Sequence, residues 1–111
     1  MSEKNTGSSH IIVLVTTGTG EEAHKIADKL LSEKKAACVN IIPGVSSFFW
    51  WEGKINSARE NLLIIKTKAE LLNDIINLVK QLHSDKVPEI IALPIVGGNS
   101  DYLEWLDKAV E

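Results

Sequence analysis

The chain has 111 residues, a formal net charge of −3 and a single cysteine. Such a length fits one domain with one core, and the mild acidity argues against a phosphate-binding surface, which needs a basic excess or a lysine and arginine cluster. No apolar run approaches the roughly 20 residues that span a bilayer, so neither nucleic acid nor a membrane is an expected partner.

The opening segment MSEKNTGSSH is polar and lacks the charged and apolar regions of a secretory signal. It reads as a disordered tail over residues 1–9, leaving 10–111 as a single domain. Cys38 has no second thiol to pair with, and a reducing cytoplasm is the simplest setting for it.

HIIVLV, His10 to Val15, is a β-branched run that predicts a buried strand. TTGTGEE, Thr16 to Glu22, follows as a turn and a helix start. It lacks the spacing of a phosphate-binding loop, and Glu21 and Glu22 would repel an anion while suiting the positive end of a helix dipole. Ala23, Ile26, Ala27, Leu30 and Leu31 carry the helical spacing, with closure expected at Lys34 and Lys35.

The next strand is expected from about Ala37 to Glu52, with a bend or bulge at Pro43 and Gly44. Gly53 and Lys54 mark a turn, and the return strand runs to Thr67. An ordinary strand has about 5–6 residues, so this hairpin should project beyond the domain. Side chains alternate between strand faces, so the consecutive aromatics Phe48, Phe49, Trp50 and Trp51 place two on each face. Leu62 to Ile65 raise the same problem on the return strand. Strands apolar on two faces need two covering layers, and other copies of the chain are expected to supply one.

Leu71, Leu72, Ile75, Ile76, Val79 and Leu82 form the stripe of a second helix ending near His83. VPEIIALPIV, Val87 to Val96, predicts a fourth strand, with Pro94 placing it at an edge or bulge. A turn at Gly97–Asn99 leads into a short terminal helix through Tyr102, Trp105 and Ala109. The order is α+β, a ferredoxin-like βαββαβ sandwich with a long central hairpin and an extra C-terminal helix. Two helices would cover one sheet face and leave the other bare, and a closed cyclic assembly would bury that face.

AACVNIIPGVSSFFWWEGKI (Ala36 to Ile55), ENLLIIKT (Glu60 to Thr67), VPEIIALPI (Val87 to Ile95) and GNSDYLEWL (Gly98 to Leu106) resemble the signature blocks of CutA, the divalent-cation tolerance proteins. The resemblance covers His10 to Val110. It implies a ferredoxin-like subunit, a homotrimer packed through its sheets, tolerance to copper and other divalent ions, and no established catalytic reaction. The chain departs from the family pattern at Ser84, Asp85 and Lys86, where members commonly carry proline, tyrosine and glutamate. It also has TTGTGEE where members often have a TT-x-P-D-E type sequence, sometimes with a cysteine nearby.

Cys38 occupies the motif's cysteine position. A thiolate suits Cu(I), whereas a lone strand cysteine also serves as a small buried hydrophobe. His83, Glu60 and Glu89 complete the candidate metal ligands, imidazole and carboxylate suiting Cu(II) or Zn(II). No tight ligand spacing occurs, so a site would be assembled across the fold or between subunits. Lys66, beyond the apolar run LLII, needs a partner, and Glu60 and Glu89 are the candidates, as a subunit-junction cleft beside Trp51 or as a structural ion pair. Trp50, Trp51 and Trp105 read as interface or core packing. No enzyme is expected, since no Ser/His/Asp set or cofactor motif appears, and no cofactor is required beyond copper or another divalent cation. The leading expectation is a metal-responsive trimer. The alternatives are a PII-like signalling trimer binding a small molecule between subunits, by fold analogy alone, and a structural assembly module.

Overall fold

The computed structural model describes residues 9–111. The elements are β1 (His10–Thr17), α1 (Gly20–Ser32), β2 (Cys38–Trp51), β3 (Lys54–Lys68), α2 (Leu72–Leu82), β4 (Ile90–Pro94) and α3 (Ser100–Ala109), with a 3-10 turn at Ala69–Leu71 before α2. One antiparallel sheet has the order β2-β3-β1-β4. Among the described residues, no helix is long and apolar enough to cross a membrane. The expected tail lies outside the described residues except for Ser9, which is tied to the body because its carbonyl accepts the Ala69 N–H at 2.9 Å.

Strand periodicity decides what is buried. On β1, Ile11, Val13, Val15 and Thr17 are buried while the alternate residues are not. Leu63, Ile65 and Thr67 continue this face on β3, and Ala23, Ile26, Leu30, Ile75 and Val79 close over it from α1 and α2. Each fully buried aliphatic side chain contributes about 1.5–3 kcal/mol. The buried hydroxyls are satisfied, Thr17 donating to the Thr19 carbonyl at 2.9 Å and Thr67 to the Lys35 carbonyl at 2.6 Å.

Local chemistry sets the boundaries. Thr19 caps α1 by accepting the Glu22 N–H at 3.1 Å. The helix stops at Ser32 rather than at the lysines, because Lys34 turns left-handed at φ 57°. The N–H groups of Lys34 and Lys35 then return to the carbonyls of Leu31 and Leu30, a Schellman closure. The fourth strand is shorter than the apolar run suggests: Pro88 has no N–H to give, and Val87 and Val96 lie outside β4 and exposed. Pro94 ends this edge strand, as expected.

The hairpin behaves as its length demands. About 3.3 Å per residue makes the 14-residue β2 roughly 46 Å long, matching the 44 Å long axis of the molecule. Its turn is Glu52–Gly53, both at positive φ (50° and 76°), the geometry of a two-residue type I′ turn. At Pro43–Gly44 the register slips: Ile42 opposes Leu62, but Val45 opposes Glu60. This one-residue bulge uses Gly44 at φ 72°.

The second sheet face is not wholly bare. His10 and Cys38 both point away from the helical core by strand parity, and both meet α3: His10 Nε2 lies 2.8 Å from Asp107 Oδ1, and Tyr102 approaches the Cys38 sulfur. The terminal helix therefore covers one end of that face, with Leu106 buried. Ile42, Ile91 and Leu93 remain uncovered toward the other side.

Candidate functional site

A cleft of about 1040 Å³ lies between the hairpin and the segment joining α2 to β4. Phe48, Phe49, Trp50 and Trp51 line it from β2, Glu60 from β3, and Asp85, Lys86 and Glu89 from the joining segment. The register puts Phe49 and Trp51 on the strand face of Glu60, and Phe48 and Trp50 on the opposite one. Phe48 is 74% exposed, Trp50 72%, Trp51 62% and the neighbouring Ile55 66%, far more than large apolar groups normally retain in a folded chain.

The joining segment is anchored by His83, whose side chain is 1% exposed. Its Nε2 lies 2.6 Å from the Thr16 carbonyl, which can only accept, so this nitrogen carries a hydrogen. Its Nδ1 accepts the Asp85 N–H at 3.0 Å. Glu22, instead of folding back on its own helix N-terminus, accepts the Ser84 N–H at 3.1 Å and the Ser84 hydroxyl at 2.9 Å, and lies 3.4 Å from His83 Nδ1. His83 thus offers no open nitrogen to a metal ion.

Lys66 sits elsewhere. It lies opposite Cys38, with Nζ donating to the Asn40 side-chain oxygen and reaching the Cys38 sulfur at 3.8 Å. Six residues of extended strand, roughly 20 Å, separate it from Glu60. The Lys66–Glu60–Glu89 cluster expected from the sequence is therefore not formed within one chain. Glu60, Glu89, Trp50 and Trp51 do share the cleft, but its cation is Lys86. Trp105 lies apart on α3, packed against Tyr102 with ring centroids 5.4 Å apart.

Tyr102 is held above the ordinary tyrosine value, first by burial and then by the nearby Cys38. Lys35 is raised by its hydrogen bonds to Glu111 and Asp74, at 3.0 and 3.2 Å.

The four candidate ligands are dispersed: Cys38 lies beside Lys66, His83 is buried under the joining segment, and Glu60 and Glu89 line the cleft. Among the described residues, no three of histidine, cysteine, aspartate and glutamate are placed to hold one ion. Sequence reasoning missed Asn40, Glu22 and Ser84 as organising residues. Asn40 was findable, since two positions along a strand put it on the face of Cys38. The Glu22–Ser84 contact joins residues 62 positions apart, and nothing local announces it.

The strand order, the packing of α1 and α2 on one face and the projecting aromatic hairpin define a ferredoxin-like α+β protein whose cleft is walled by that hairpin. Residues 11–109 match the model of the CutA1 divalent ion tolerance protein family, and the chain belongs to that family. It is 50% identical over 109 residues to the protein named "Protein CutA 1, chloroplastic" of Oryza sativa, covering 98% of this chain and 62% of that one. The chain therefore spans less than two thirds of that relative's length. Two solved structures are also similar. One is the periplasmic divalent cation tolerance protein CutA of Archaeoglobus fulgidus, with TM-score 0.89 and 46% identity over 92% of this chain and 99% of that one. The other is CutA1 of Oryza sativa, with TM-score 0.91 and 48% identity over 96% of this chain and 98% of that one.

Proposed function

We propose that the protein acts without catalysis in tolerance to divalent cations, as a homotrimer that takes up copper or a related ion between subunits. The exposure of the aromatic hairpin carries this reading. A tip that leaves Phe48, Trp50, Trp51 and Ile55 largely in water calls for a second copy to cover it. Because the ligands are dispersed within one chain, the ion would be held between copies, with Cys38 as thiolate and Glu60 and Glu89 as carboxylates meeting their counterparts. His83, with both ring nitrogens occupied, drops out of the ligand set. The lone thiol favours the cytoplasm.

Native mass spectrometry of the metal-free protein, then titration with Cu(II), and with Cu(I) under reducing conditions, tests this reading. A trimer binding whole numbers of copper ions, lost in Cys38→Ser or in Glu60→Gln with Glu89→Gln, is the expected result. A monomer, or a trimer showing only nonspecific adducts, overturns it.

A second reading is favoured by the cleft itself. At about 1040 Å³ it is just larger than most small-molecule sites, which suits a signalling trimer that binds a small molecule beside the hairpin.

A further inference from the structure

We infer that His83 is a proton-operated switch for the segment joining α2 to β4: on gaining a proton, its Nδ1 exchanges the Asp85 N–H for the Glu22 carboxylate. The inference needs no metal ion and no exposed hairpin, because every group it uses is set around one imidazole within one chain. Three observations carry it.

The first is that one ring nitrogen has two partners of opposite character. Nε2 is committed to the Thr16 carbonyl at 2.6 Å and carries the hydrogen, so Nδ1 is the bare nitrogen that accepts the Asp85 N–H at 3.0 Å. Oε2 of Glu22 stands 3.4 Å from the same Nδ1, and two acceptors facing each other make no hydrogen bond. A proton on Nδ1 reverses both relations. The ring then sets one N–H against another at Asp85, while Glu22 receives a charge-assisted bond.

The second is the setting. The His83 side chain is 1% exposed and that of Glu22 13%, so little water competes for either partner. The charged group set against the ring is Glu22 from α1. From β1 comes only the neutral Thr16 carbonyl, and from the joining segment the Asp85 amide, with the Asp85 and Lys86 side chains lining the cleft beyond. Backbone groups keep one polarity at every pH, whereas histidine is the side chain that changes charge within the physiological range. The ring therefore decides which partner is held.

The third is leverage. Ser84 is fixed to Glu22 through its N–H and its hydroxyl, and β4 begins at Ile90. Among the described residues, the Asp85 N–H contact with His83 is the one hydrogen bond or ion pair that holds residues 85–89. Exchange at Nδ1 thus releases this stretch while leaving Ser84, β4 and the aliphatic core in place.

The test follows the full chain by NMR from about pH 8 to pH 5, reading the imidazole nitrogens together with hydrogen-exchange protection of each backbone amide. Native mass spectrometry of the same samples reads the oligomeric state. Nδ1 of His83 should gain a hydrogen while Nε2 keeps its own, and in the same step the Asp85 amide should lose protection at least about tenfold. Glu22→Gln, isosteric but uncharged, should move this step to more acid pH. An Nδ1 that stays bare across the range in the folded protein would overturn the inference. So would protonation that leaves Asp85 protected, or a step that Glu22→Gln does not move. Loss of protection shared by the β1 and β3 amides would mean general acid unfolding, and loss that tracks a change in oligomeric state would mean dissociation; either overturns the switch.

Discussion

Glu22 accepts two hydrogen bonds from Ser84, from the backbone N–H at 3.1 Å and the hydroxyl at 2.9 Å, and so ties the first turn of α1 to the wall of the cleft. Bonds to a charged acceptor are worth about 1.5–3 kcal/mol each when little water competes, and the Glu22 side chain is only 13% exposed. Ser84→Ala should cost about 1 kcal/mol in the natural background and almost nothing alongside Glu22→Ala, because the hydroxyl then has no acceptor to lose. Urea unfolding of the four proteins, at one fixed protein concentration, measures the cycle. Additive losses would show that the hydroxyl contributes elsewhere.

His83→Ala should be more severe, about 3 kcal/mol, since it strands the Thr16 carbonyl and the Asp85 N–H and opens a cavity. If the proposed trimer binds copper between its subunits, the stoichiometry should stay unchanged in any fraction that remains folded. A loss of copper with stability intact would restore His83 as a ligand.

Among the described residues, two other than glycine hold left-handed backbone, Lys34 at φ 57° and Glu52 at φ 50°. Lys34→Gly removes the Cβ penalty at the helix end and should stabilise by about 0.5–1 kcal/mol. Glu52→Asn places the favoured Asn-Gly pair in the type I′ turn and should add a few tenths of a kcal/mol, roughly. Thermal midpoints read both. A lower midpoint for Lys34→Gly would mean that the lysine side chain stabilises more than its backbone costs.

Trp50→Asp and Trp51→Asp address assembly. The two side chains face opposite sides of the hairpin, so at least one must meet a neighbouring copy if the hairpin is covered at all. A carboxylate buried there without a partner costs several kcal/mol, roughly, and should shift the proposed trimer toward smaller species in sedimentation velocity. Two intact trimers of unchanged stability would exclude the hairpin as an interface.

High pH should loosen the chain end. The folded values of Lys35 and Tyr102 both lie above their ordinary values, 10.5 and 10.0. For each, the folded state holds its proton more tightly than the unfolded chain does. The stability they contribute is therefore complete below about pH 10 and declines as pH rises through the folded values. Tyr102 is the only tyrosine, so tyrosinate absorbance reports one site. Its midpoint should lie above 10.0, and Lys35→Met should blunt the alkaline loss of stability. A tyrosinate midpoint at or below 10.0 would contradict the partial desolvation of Tyr102 beside Cys38.

Much of this architecture is legible in the sequence, because hydropathy periods alone separate the alternating β1 from the α2 stripe. Pro43–Gly44 announces a bulge, and the aromatic run announces a strand that one chain cannot cover. The site was less legible, and Lys66 shows why. Pairing it with Glu60 and Glu89 assumed that neighbouring chemistry in sequence stays neighbouring in space, whereas an extended strand carries residues apart at about 3.3 Å per step. The true partners, Cys38 and Asn40, depend on a register fixed by the turn at Glu52–Gly53 and then displaced by the bulge. The role of α3 was hidden for a related reason. Its amphipathic pattern shows that one side is buried but not which face of the sheet receives it.

The extra residue at Pro43–Gly44 acts as a phase shift of half a strand period. Between the turn and the bulge, paired positions sum to 105, as in Trp51 with Lys54; beyond it they sum to 104, as in Cys38 with Lys66. Odd-numbered residues of β2 therefore join the helical core at Val39 and Ile41, yet those at Phe49 and Trp51 lie on the other side with Glu60. With one residue fewer between Ile42 and Val45, and the body held in place, the tip would turn over: Phe48 and Trp50 would exchange sides with Phe49 and Trp51 while every core contact stayed as it is. The length of that short stretch thus decides which pair of rings meets which surroundings, independently of the amino acids that build the core.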